Sequence, residues 1–157
     1  MVPPVPPFHQ LIASEIAAVQ RFVALLKKEH AALRDSQFDV LEKLMEEKGN
    51  LIDELSRIGQ ERHQSLLLLG VAENREGVEQ WLRTQQNPKL TEAWQVLQQL
   101  AREAKTLNEL NGQCITLLSR NNRQRLETIT GQHARGTFYG PDGQTSFSSR
   151  FRISDSV

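Results

Sequence analysis

Between Leu11 and Thr130 the chain contains one proline, Pro88. Proline lacks an amide N–H and its ring clashes with the preceding turn, so it ends or kinks helices. A stretch this long with so few breaks is free to form helices well beyond the usual three or four turns. The punctuation gathers at the two ends. Four of the six prolines lie in the first seven residues, and four of the nine glycines lie between Gly131 and Gly143. This division predicts a Pro-rich segment over 1–7, a helical domain over 8–130 and a flexible, partner-binding tail over 131–157.

Hydrophobic periodicity fills in the helices. Ile12, Ile16, Val19, Phe22, Val23, Leu26 and Leu33 recur mostly at steps of three and four, predicting a helix from about Phe8 to Arg34. Polar residues 34–37 break the pattern, and Ser36 with Asp39 reads as a weak capping box for the next helix. That helix runs to about Leu69, with Leu41, Leu44, Met45, Lys48, Leu51, Ile52, Leu55 and Ile58 on its seam and Gly70 as its stop. So short a break implies an antiparallel hairpin.

Residues 70–87 form a connector in which Val78, Trp81 and Leu82 suggest a short capping helix. Asn87-Pro88 is the clearest helix start, because Asn is a strong N-cap and Pro suits the first helical position. The seam that follows reads Leu90, Trp94, Leu97, Leu100, Ala104, Leu107, Asn111, Cys114 and Leu118, continuing through Leu126 and Ile129. At 1.5 Å per residue this helix is roughly 60 Å long, so one end projects. The predicted fold class is all-α: an elongated antiparallel bundle of three long helices with a short connector helix.

Few residues in the sequence point to chemistry. Nineteen basic residues balance nineteen acidic ones, which argues against a chain that coats nucleic acid or an acidic membrane. The single cysteine, Cys114, excludes an intrachain disulfide and a multi-cysteine zinc site, and suggests a reducing, cytoplasmic setting. No apolar run approaches the roughly 20 residues of a membrane span, and MVPPVPPF lacks the basic start and apolar core of a signal peptide. His9, His30, His63 and His133 fit no metal-binding spacing. No catalytic residue, metal site or cofactor is predicted. Arg120, Arg123 and Arg125 read as the outer face of a long helix rather than as phosphate contacts. Asn108, Asn111, Asn121 and Asn122 are unusual on or beside a seam, where Asn sets register at some cost in stability or offers its amide to a partner helix. The tail carries Phe138, Tyr139, Phe147 and Phe151, apolar groups that suggest partner binding.

Two segments carry a resemblance. Leu107-Asn108-Glu109-Leu110-Asn111-Gly112 and Phe138-Tyr139-Gly140-Pro141-Asp142-Gly143-Gln144-Thr145-Ser146 resemble the FlgN family of flagellar export chaperones, the second through its Tyr-Gly-x-Asp-Gly-Gln motif. Glu46-Glu47-Lys48 followed by Leu51 is similar to the family with less specificity. The resemblance implies a cytosolic type III export chaperone that holds hook–filament junction proteins unassembled through their C-terminal helical segments. It implies client contacts along the last helix, at Leu107, Asn108, Asn111, Ile115, Leu118, Asn122, Leu126 and Ile129. It also implies docking at the flagellar export gate through Phe138, Tyr139, Gly140, Asp142 and Gly143. Arg150-Phe151-Arg152-Ile153 matches nothing in the family pattern. A structural coiled-coil tether with a permanent oligomeric interface is the competing expectation.

Overall fold

The computed structural model describes residues 5–130, in which four helices follow one another: α1 (Phe8–Arg34), α2 (Phe38–Leu68), α3 (Arg75–Gln85) and α4 (Pro88–Thr130). No strand occurs among the described residues. The fold is the expected all-α bundle. α1 is the middle helix and packs against both α2 and α4. Ion pairs Glu15–Arg62, Arg21–Glu54 and Glu29–Lys48 set α1 and α2 antiparallel. α4 returns alongside α1 in the same direction, with Phe8 near Trp94 at one end and Glu29 bonded to Asn111 towards the other.

The core is a continuous apolar column. Ile12, Val19, Phe22 and Leu26 of α1 face Leu55 and Leu66 of α2 and Leu97 of α4, all essentially without solvent contact. One end is closed by α3, where Val78 and Leu82 are buried and Trp81 meets Phe8 edge-on at 5.1 Å between ring centroids. Asn74 caps α3 by accepting from the Gly77 amide at 2.7 Å. Any side chain at Gly77 would collide with the Ala72 carbonyl, since an added Cβ would lie 2.6 Å from its oxygen.

The helix ends follow sequence expectation with one correction. Asn87 caps α4, its Oδ1 accepting from the Leu90 amide at 3.2 Å. Gly70 ends α2 at φ +68°, with Gly70 N–H donating to Leu67 and Val71 N–H to Leu66, the Schellman arrangement. Ser36, expected to cap α2, instead ends α1. It takes a left-handed φ of 54°, and the amides of Ser36 and Gln37 donate to the carbonyls of Leu33 and Ala32. Gln37 occupies the N-cap position of α2 without a side-chain cap bond. The three residues between the helices are needed to reverse the chain, and Ser36 is consumed by the first helix before it can serve the second.

Candidate functional site

α4 has 43 residues against 27 in α1, and the difference creates the site. Its first half is held firmly. Trp94, Leu97, Ala101 and Ala104 are buried. Among the α4 residues whose burial is described, Asn111 is the last buried one, with no exposed surface. Its Nδ2 donates to the Leu26 carbonyl at 2.9 Å and to Glu29 Oε2 at 2.7 Å, and its Oδ1 lies 3.0 Å from His30 Nδ1. Glu29 also accepts from Lys48 Nζ at 3.0 Å through both oxygens. One polar layer thus ties α1, α2 and α4 together. A buried carboxylate is tolerable only when its lone pairs are filled in this way.

A second buried pair lies nearer the closed end. Arg62 Nε donates to Glu15 Oε2 at 2.8 Å, and the guanidinium carbon stands 5.9 Å from the centre of the Trp94 ring. Burial pushes the Glu15 carboxyl above its ordinary value, further than Arg62 draws it down. An open groove of about 430 Å3, lined in part by Phe8, Leu68, Leu69, Trp81 and Leu90, lies at this end of the bundle.

Past Asn111 burial fades. Leu107 and Asn108 just before it and Cys114, Ile115 and Leu118 beyond it are half-buried, and Asn122 is exposed. Leu117 is 59% exposed, Leu126 51% and Ile129 79%. Since α1 stops at Arg34, among the described residues no helix runs beside the last turns of α4. The sequence-predicted client residues therefore divide. Asn111 faces inward and secures the bundle, whereas Leu118, Asn122, Leu126 and Ile129 continue onto accessible helix. Phe138, Tyr139, Gly140, Asp142 and Gly143 lie outside the described residues.

Sequence reading missed Glu15 and Glu29 as buried groups. The signal was present: Leu11, Glu15, Ala18, Phe22, Leu26, Glu29 and Leu33 advance at steps of four and three along one stripe of α1. A charge in that register implies a partner on the facing helix. Among the described residues no group of His, Cys, Asp and Glu is arranged to hold a metal ion, and no helix is long and apolar enough to cross a membrane. The projecting end offers apolar side chains with an amide and a guanidinium, which suit the binding of an amphipathic helix.

Comparison with known proteins identifies the lineage. The family model described as FlgN protein matches residues 5–146, all four helices and the stretch after them. The chain belongs to the FlgN family. It is thereby one of the chaperones of flagellum biogenesis. Two relatives, both called flagella synthesis protein FlgN, come from Salmonella typhimurium strain LT2 and Salmonella typhi. Each is 33% identical over 97 residues, covering 62% of this chain and 69% of the relative. No solved structure matches this FlgN-family chain significantly.

Proposed function

We propose that this FlgN-family chain is a cytoplasmic export chaperone that holds hook–filament junction proteins unassembled and delivers them to the flagellar export gate. The observation that carries the reading is the seam of α4, which runs on past the end of α1 with Ile129 79% exposed. A client helix laid on this stretch would complete the bundle where α1 stops, masking an apolar face that would otherwise polymerise. Leu107, Asn108, Ile115, Leu118, Asn122, Leu126 and Ile129 form the client-facing line, with Asn111 anchoring its base. Segment 131–157 supplies the gate contact, centred on Tyr139 with Phe138, Gly140, Asp142 and Gly143.

The two roles separate by mutation. Leu126→Asp with Ile129→Asp should lower affinity for a hook–filament junction protein by roughly 30-fold or more, the loss expected of a hot spot worth about 2 kcal/mol. Both positions are exposed, so the melting temperature should move by no more than about 2 °C. Tyr139→Ala should preserve client affinity and weaken binding to the isolated gate domain by a similar factor. Calorimetric titration of each variant against each partner reads both. Unchanged client affinity in the double variant refutes the client surface, and a parallel loss of client and gate binding in Tyr139→Ala refutes the division.

A further inference from the structure

We propose that the projecting seam of α4 selects a partner helix carrying a carboxylate inside its apolar stripe, with Arg125 as the residue that reads it. The inference rests on the reading of this stretch as the client surface and adds what the client helix must contain.

At 100° per residue, Leu118, Asn122, Arg125 and Ile129 fall on one line, continuous with Leu107 and Asn111. Arg120 and Arg123 project from the opposite side with Glu127. The three arginines therefore make no common patch for a phosphate backbone. Arg125, expected on the outer face with the other two, instead stands in the seam itself, exposed, and among the described residues no carboxylate lies within 4 Å of it.

The bundle shows how this chain treats polar groups in its seams. Arg62 meets Glu15 of α1, and Lys48 and Asn111 meet Glu29 of α1. In each case the facing helix supplies a glutamate from within its apolar stripe. Glu15 and Glu29 are two heptads apart, and Arg125 lies two heptads beyond Asn111, the partner of Glu29. A helix that takes up the line where α1 ends would need its own carboxylate at the matching place. A wholly apolar partner would bury the guanidinium unpaired, which desolvation opposes strongly. A carboxylate there gives a charge-assisted, bidentate contact, with the Asn122 amide one turn away. A second copy of α4 laid parallel and in register would set Arg125 against Arg125, so the seam rejects that self-pairing.

The test uses the full chain and two fluorescent 21-residue helical peptides. They share the α1-like stripe of leucines and differ in one central seam position, Glu or Lys. The wild type should bind the Glu peptide at least tenfold more tightly by anisotropy, Arg125→Glu should invert the preference, and Arg125→Lys should retain its direction. Equal affinities, binding of neither peptide, or a preference that survives Arg125→Glu would overturn the inference. So would a wild-type dimer in light scattering that Arg125→Glu dissociates, or duplex DNA binding lost on Arg120→Glu and Arg123→Glu. Titration with a hook–filament junction protein keeps the two readings apart. A client lost on Leu126→Asp with Ile129→Asp but bound equally by wild type and Arg125→Glu leaves the chaperone surface standing and removes the carboxylate rule. A junction protein that does not bind at all removes the chaperone surface, while the peptide preference is judged on its own.

Discussion

Glu15 and Arg62 are both about 4% exposed at the side chain, and burial sets their behaviour. The Arg62 guanidinium uses its Nε on Glu15, while its Nη1 is buried with no hydrogen-bond partner among the described residues. One bond does not fully replace the water lost by two charges, which is why desolvation outweighs Arg62 in raising the Glu15 carboxyl. A folded-state value above the ordinary 4.5 means that the folded chain holds this proton more tightly than the unfolded chain. The stability Glu15 confers by this route is complete below about pH 4.5 and falls away as the pH rises through the elevated value. Glu15→Gln removes that titration. In urea unfolding at a series of pH values from 4.5 to 8, the stability difference should move against the wild type as pH rises. Movement in favour of the wild type would mean that the ion pair dominates burial.

At the scale of single elements, the helices were legible and their junctions less so. The span of α1, the short α3 and the Asn87 cap all follow from local periodicity and turn chemistry, which neighbouring residues carry by themselves. Ser36 does not, because its role depends on where α1 finally stops. A left-handed serine is strained relative to glycine, by roughly 1–2 kcal/mol, while glycine loses more freedom on folding. Ser36→Gly should therefore stabilise the chain by about 0.5 kcal/mol, detectable as a higher urea midpoint with an unchanged slope. A loss of stability would show that the serine side chain contributes something beyond its backbone conformation. In the projecting part of α4, the line through Leu118 and Ile129 was legible from spacing alone. The inward placement of Asn111 was not, since a seam amide looks the same in sequence whether its partner lies on the same chain or another.

Across the whole molecule, packing is uneven from end to end. Phe8, Trp81 and Trp94 gather at the closed end, three helices meet in the middle at Glu29, and among the described residues α4 runs furthest beyond the end of α1. Amide hydrogen exchange should record this gradient. Amides of residues 94–111 should exchange near the global unfolding limit, and those of 119–129 by local fraying at least a hundredfold faster. Adding a bound client should slow the second group selectively. Uniform protection along α4 in the free chain would contradict the uneven packing.

The length of α4 also bears on helix–coil energetics. A helix of some twelve residues on its own is marginal in water, because closing its first turn fixes several dihedrals for a single hydrogen bond. The stretch beyond Leu118 never faces that step. It grows from turns already locked by Asn111 and the Trp94 end, so only propagation remains, and propagation is close to neutral for such sequences. The last turns of α4 can then melt and re-form readily at low free-energy cost, while a partner helix that docks finds its template already nucleated.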